Sequence, residues 1–254
     1  MSQSIIIKTF ESLGSYLVFF AQTIKWTFRK PFDYKNIILQ MLEIGYKSFP
    51  VVAITIFFTG MVMALQIGKQ MDTLLPGSSV YIGSGVTISM FRELAPVLTG
   101  VLLSGRVGSS IAAQIGTMKV TEQIDALVTL STNPIQYLSV PRFLASFVMI
   151  PSLTILADIM GVLGGAIIAF FALGITPEKY FDNIISFTKV SDFTSGLFKS
   201  VFFGIEISII ACYEGFNTVG GAEGVGRSTI SAVVKSSMTI LISDYFLTYL
   251  MQIL

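Results

Sequence analysis

A run of twenty residues without a charge, Ser48 to Ile67 (SFPVVAITIFFTGMVMALQI), decides which solvent this chain folds in. At 1.5 Å per residue such a helix matches a hydrocarbon core of roughly 30 Å. A bilayer accepts only backbones whose polar groups are satisfied internally, so the expectation is an all-α integral membrane protein. Composition extends this to the rest of the chain. Charged residues make up 12% and the mean hydropathy is +0.77, against roughly 25% charged in soluble domains.

Four further spans follow from the same reading. One runs from about Val86 to Gly105 and on into SSIAAQIG, interrupted by Arg92, Glu93 and Pro96. Phe143 to Ile175 is apolar except for Asp158 and long enough to tilt or to kink at Pro151. Ser195 to Tyr213 carries Lys199 and Glu206, and Ser231 to Leu254 carries Lys235 and Asp244. In residues 1–47, Phe10, Leu13, Leu17, Phe20 and Ile24 recur at three- and four-residue spacing between polar residues. That pattern favours an interfacial helix, with Trp26, Arg29 and Lys30 at its exit from the membrane, over a sixth span. The N-terminus lacks the basic start, short apolar core and cleavage site of a secretory signal. The domain expectation is therefore an N-terminal cytoplasmic or interfacial region at 1–47 and a five-span domain at 48–254.

With the N-terminus inside, eleven Lys and Arg residues fall on the cytoplasmic side and only Lys69, Lys179 and Lys189 opposite. The positive-inside rule supports that orientation and places the C-terminus outside. Net charge is +1, which suggests no nucleic-acid partner. With no histidine and a single cysteine, Cys212, the chain offers no triad chemistry, disulfide framework or thiolate metal site. Small residues four apart, Gly161 with Gly165 and Gly108 with Ala112 and Gly116, allow close helix approach.

Three constellations carry functional meaning. GAEGVGRS, Gly221 to Ser228, nearly matches a phosphate-binding loop with Arg227 in place of its lysine, but a membrane span precedes it where a buried strand is required. A flexible cytoplasmic turn is the better reading, and ATP must bind elsewhere. Thr121-Glu122-Gln123-Ile124-Asp125-Ala126-Leu127 reads as a short amphipathic helix capped by Thr121. Ile124, Leu127 and Leu130 form its apolar edge, and Glu122 and Asp125 a polar edge suited to a protein partner or simply to solvent. Arg92, Glu93, Lys199 and Asp244 are charges inside spans, each costing roughly 2.5–3.5 kcal/mol on insertion scales. They either line a polar cavity or, for Arg92 and Glu93, sit in headgroup water at the outer end of a span. Asp158 and Glu206 read more readily as satisfied packing groups than as a proton relay.

RELAPVLTGVLLSGRVGSSIAAQIGTMKVTEQIDAL, from Arg92 to Leu127, resembles the MlaE (YrbE-type) permeases of ABC transporters that move phospholipids between the inner and outer membranes of Gram-negative cells. The similarity extends from about Tyr46 to the C-terminus through NPIQYLSVPR, KSVFFG and GGAEGVGRST. The resemblance implies a homodimeric, non-catalytic permease of the cell inner membrane that helps maintain outer-membrane lipid asymmetry. It has an interfacial N-terminal helix and five spans per subunit. It implies no cofactor in this chain, with ATP and Mg on a partner ATPase dimer, a possible STAS-domain protein and a periplasmic ring of MCE-domain protein. By matching positions, residues Thr121 to Leu127 become the helix that receives ATPase movement. Arg92, Glu93, Lys199 and Asp244 become the lipid cavity, Arg92 and Lys199 facing phosphate. Glu206 departs from the family's usually apolar character in that helix. The other function classes open to such a sequence are an ion-coupled carrier and a membrane scaffold.

Overall fold

A computed structural model describes residues 2–30, 33–74 and 81–253, with the side chains of 2–13, 72 and 74 left out. The N-terminal spacing of Phe10, Leu13, Lys8 and Glu11 therefore lies outside the described side chains. Among the described residues there is no strand. The order is α1 (Ser2–Thr27), α2 (Tyr34–Met41), α3 (Phe49–Leu74), α4 (Ile82–Ser89), α5 (Ala95–Leu103), α6 (Ser109–Val120), α7 (Gln123–Thr129), α8 (Val140–Leu173), α9 (Pro177–Phe187), α10 (Val190–Phe216) and α11 (Gly221–Ile253). Single π-helical turns join several of them, at Leu42–Tyr46, Met90–Leu94, Ser104–Gly108 and Ile135–Ser139.

Five helical stretches among the described residues are long and apolar enough to cross a membrane: Tyr34–Met71, Ile82–Val120, Ile135–Leu173, Val190–Phe216 and Gly221–Ile253. They correspond one to one with the five expected spans, and α1 is not among them. The first begins fourteen residues, the third eight and the fifth ten residues earlier than expected. Gly220 and Gly221 take positive φ, and GAEGVGRS then forms the first turns of α11, not a flexible turn. A Cβ at Gly224 would overlap the Val219 carbonyl, and the Thr218 hydroxyl donates to Ser228 Oγ at 2.8 Å. Gly220, Gly221 and Gly224 serve a tight α10–α11 corner.

The chain forms two compact units, one built from Met1–Ile44, Leu103–Met149 and Gly204–Ile240, the other from Gly45–Leu102, Ile150–Phe203 and Leu241–Leu254. Both are packed as lipid-solvated proteins are. Large apolar side chains such as Phe58, Val62, Phe171, Leu241 and Phe246 face outward, while hydroxyls such as Thr87, Thr99, Thr154 and Ser236 are buried. Lipid tails are as apolar as Leu, so helix association rests on close backbone approach and interhelical polar contacts. In the second unit a Cβ on Gly164 would overlap the Phe57 carbonyl, and one on Gly161 would strike Met90. In the first, Gly116 lies against Thr218 and Gly108 against Ile207. The small-residue spacing is thus used for packing.

In the first unit α1 is held by polar contacts. Ser15 and Tyr213 hydroxyls meet at 2.7 Å, the Tyr16 phenol donates to Glu214, and Lys235 pairs with Glu214 at 2.8 Å. Burial, then the adjacent Glu214 carboxylate, push the Tyr16 phenol far above its ordinary range, so it remains a donor. In the second unit α9 is pinned on α4 and α8: Asn183 Oδ1 accepts from the Ser84 N–H of α4 at 3.2 Å, and the Tyr180 hydroxyl donates to the Val162 carbonyl of α8 at 3.1 Å.

Candidate functional site: a buried lysine among carboxylates

In the second unit three helices bring the intramembrane charges together. The π-helical turn Met90–Leu94 presents Arg92 and Glu93, with the Ala95 N–H reaching back five residues to the Met90 carbonyl. Such a turn inserts an extra residue and re-aims its side chains, and it is frequent at functional sites. Pro96 has no N–H, so the Arg92 carbonyl lacks the usual α-helical donor four residues on. Lys199 Nζ takes that place, donating to the Arg92 carbonyl at 3.1 Å.

Lys199 is only 2% exposed, yet its ammonium is saturated. Nζ lies 2.8 Å from Glu93 Oε2, 3.0 Å from Asp244 Oδ1 and 2.7 Å from Thr248 Oγ1. Thr248 in turn donates to Glu93 Oε1 at 3.1 Å. An ammonium has three protons, so four acceptors leave it nothing to offer outward. Arg92 is differently placed. Its side chain is 53% exposed, and Nε and Nη2 meet Asp192 Oδ1 at 2.6 and 2.5 Å. Nη1 is left for other acceptors. Asp192, 2% exposed, also accepts the Lys189 N–H at 2.8 Å through Oδ2.

The sequence explains why α10 delivers its two residues here. Asp192, Gly196 and Lys199 fall at i, i+4 and i+7, one face of a helix. A Cβ at Gly196 would sit inside the Phe91 carbonyl, so only glycine lets α10 reach the backbone of the π-helical turn. Glu93, Lys199 and Asp244 lie nine to eleven residues from the start of the second span, the start of the fourth and the end of the fifth. At 1.5 Å per residue that is roughly 14–17 Å along each helix. In an alternating chain those three ends share one membrane side, and the cluster lies beyond the terminal turns of all three helices.

All four intramembrane charges singled out in the sequence thus converge. Two members were missed. Asp192 fell three residues before the expected start of its span, although its spacing from Lys199 was a signal, and Thr248 is one turn beyond Asp244 in an apolar run. Asp158 is 2% exposed, with Oδ1 lacking a hydrogen-bond partner. Glu206 is half-buried and engaged. Among the described residues no group of three His, Cys, Asp or Glu is placed to hold a metal.

In the first unit, Thr121-Glu122-Gln123-Ile124-Asp125-Ala126-Leu127 includes most of α7, with one difference. Thr121 ends α6, its hydroxyl donating to the Thr117 carbonyl at 2.7 Å, and Glu122 is the residue before α7, at φ 59° with no side-chain cap. The left-handed step turns the chain too sharply for Thr121 to reach the amides of α7. Ile124 is buried and Leu127 half-buried, whereas Leu130 is exposed. Glu122, Gln123, Asp125 and Ala126 face outward, Asp125 near Lys119 at 3.4 Å.

Residues 37–250 match the family model described as Permease MlaE. The chain belongs to the MlaE permease family. It is 46% identical over 244 residues to a probable ABC transporter permease protein of Rickettsia felis, covering 96% of this chain and 93% of the relative. A probable ABC transporter permease protein of Synechocystis is 45% identical over 217 residues, 85% of this chain and 82% of the relative. The chloroplastic protein trigalactosyldiacylglycerol 1 of Arabidopsis thaliana is 38% identical over 215 residues, 85% of this chain and 61% of the relative. This MlaE permease is therefore a multi-pass ABC transporter permease, which implies ATPase partner subunits.

Proposed function

We propose that this MlaE permease moves phospholipids between the inner and outer membranes, helping to maintain outer-membrane lipid asymmetry. It works as a homodimer in the cell inner membrane with its N-terminus cytoplasmic and C-terminus periplasmic. ATP and Mg are bound by a separate ATPase dimer, which engages Glu122 and Asp125 on α7. A STAS-domain protein accompanies that ATPase, and a periplasmic ring of MCE-domain protein receives or delivers lipid. The observation that carries the lipid reading is the division of labour in the charge cluster. Buried Lys199 holds Glu93 and Asp244 in place, and half-exposed Arg92, oriented by Asp192, presents free guanidinium donors. Guanidinium is the side chain best matched to a phosphate. The Arabidopsis relative's own name contains a glycerolipid, one that carries galactose instead of a phosphate, and so supports a lipid substrate without selecting a phospholipid. Two cations and three carboxylates leave the cluster net acidic, which favours headgroups that carry an ammonium beside their phosphate.

The test is Arg92→Gln in the transporter reconstituted with its ATPase in proteoliposomes. Assembly and basal ATPase activity stay intact, and ATP-dependent transfer of fluorescent phosphatidylethanolamine falls at least about tenfold, as loss of a charged hydrogen bond worth about 1.5–3 kcal/mol requires. Unchanged transfer would overturn the reading.

A further inference from the structure

In the first unit, a cleft of about 560 Å³ opens between the end of α1, the start of α2 and the segment that leaves α7. That volume falls within the roughly 300–1,000 Å³ of small-molecule sites. Trp26, Arg29 and Asp33 form one wall, and Ser131, Thr132 and Tyr137 contribute to the other. The walls are fixed by hydrogen bonds across the cleft. Gln136 Nε2 donates to the Arg29 carbonyl at 3.1 Å, and Asn36 Nδ2 donates to the Tyr137 carbonyl at 3.4 Å. Asn133 Oδ1 caps the following π-helical turn by accepting the N–H groups of Ile135 and Gln136.

Two opposite charges line this cleft without neutralising each other. The Arg29 guanidinium lies 4.9 Å from the centre of the Trp26 ring and has no carboxylate partner among the described residues. Asp33 spends one oxygen on its own helix, accepting the Asn36 N–H at 3.1 Å, and forms no ion pair among the described residues. The helices that carry the first and third spans begin at Tyr34 and Ile135, so the cleft stands at an end of both, beside α1, whose Trp26 and Arg29 the sequence places at the membrane interface. Trp and Tyr rings favour that level of a membrane, and a paired phosphate and ammonium are the polar groups found there. Ser131 and Thr132 add hydroxyls on the Arg29 side of the chemistry, and the face of Tyr137 suits an ammonium.

We propose that this cleft is a second lipid site, binding the phosphate–ammonium headgroup of a zwitterionic phospholipid from the adjoining leaflet. The phosphate meets Arg29 and the hydroxyls of Ser131 and Thr132, and the ammonium meets Asp33 and the Tyr137 ring. The Thr132 N–H is bonded to the Leu127 carbonyl at 3.0 Å, so a headgroup held here ties α1 to the end of α7. The proposal is independent of what the charge cluster of the second unit transports.

Trp26 is the only tryptophan, so fluorescence of the full-length chain reports this cleft alone. The purified chain in dodecyl maltoside is titrated with phosphatidylethanolamine brominated near the glycerol end of its acyl chains. Quenching saturates, Arg29→Gln raises the half-saturating concentration about tenfold, and Ser131→Ala with Thr132→Val raises it less. Asp33→Asn weakens phosphatidylethanolamine but leaves brominated phosphatidylglycerol unchanged. Quenching that rises without saturation, or that is the same in Arg29→Gln and in the hydroxyl double variant, overturns the site. Equally tight phosphatidylglycerol overturns the zwitterionic assignment, and competition by soluble phosphoethanolamine at the same concentration as lipid overturns the lipid source.

Discussion

Replacing Lys199 by Met tests the charge cluster most directly, because it keeps the length and apolar stem of the side chain and deletes only the ammonium. Glu93 and Asp244 then face each other with no cation, and the Arg92 carbonyl and Thr248 hydroxyl each lose a donor. Removing one partner of a buried ion pair costs about 3–5 kcal/mol, most of it the penalty of leaving the remaining charge uncompensated. Here the two carboxylates do not contribute equally. The Glu93 side chain is 41% exposed and can recover solvation, whereas that of Asp244 is 18% exposed and cannot. The lower end, about 3 kcal/mol, is therefore expected. For a chain of this size each kcal/mol lowers the melting temperature by about 2–4 °C, giving a fall of roughly 6–12 °C.

The assay is thermal unfolding of the detergent-solubilised protein, followed by loss of its monodisperse gel-filtration peak. The double variant Lys199→Met with Asp244→Asn removes the stranded charge and should recover more than half of the loss. Lys199→Met with Glu93→Gln should recover less, since Glu93 was already partly hydrated. A fall below about 3 °C for the single variant, or rescue by Glu93→Gln that exceeds rescue by Asp244→Asn, refutes the reasoning.

Gly196→Val places a branched side chain against the Phe91 carbonyl, an overpacking worth about 1–3 kcal/mol; it should lower the melting temperature and reduce lipid transfer together, and a neutral result would show that α10 does not depend on that approach. Tyr16→Phe deletes the donor to Glu214 while Lys235 still pairs with that carboxylate, so a cost near 1 kcal/mol is expected, read as earlier protease cleavage within α1 at unchanged melting of the rest. Glu122→Lys with Asp125→Lys reverses the outward charge of α7 and should abolish copurification with the ATPase without changing thermal stability, since both residues are exposed. Transfer by the intact transporter should favour phosphatidylethanolamine over phosphatidylglycerol, and a reversed preference measured in mixed vesicles would contradict the acidic balance of the cluster.

The five spans were legible because a bilayer makes hydrophobic length nearly sufficient evidence, and Ser48–Ile67 needed no other signal. The intramembrane charges were legible for the complementary reason, since only functional or structural partners justify their cost. Their division of labour was not. Lys199 and Arg92 look alike in the sequence, and both were expected to face phosphate, yet one is enclosed by four acceptors and the other half-exposed. What separates them is backbone geometry: a proline that strips the Arg92 carbonyl of its helical donor, a π-helical turn that re-aims Glu93, and a glycine that lets α10 close on both. Each device is written in the sequence as Pro96, MFREL and Gly196, but none shows by itself which neighbour it serves. GAEGVGRS failed in the opposite direction. Its glycines matched a phosphate loop and suggested flexibility, whereas Gly224 is needed because the Val219 carbonyl occupies the place of a Cβ. At Gly164, Gly196 and Gly224 the residue type reflects a close backbone approach, and at the first two the identity of the approaching backbone is long-range information that local spacing does not hold.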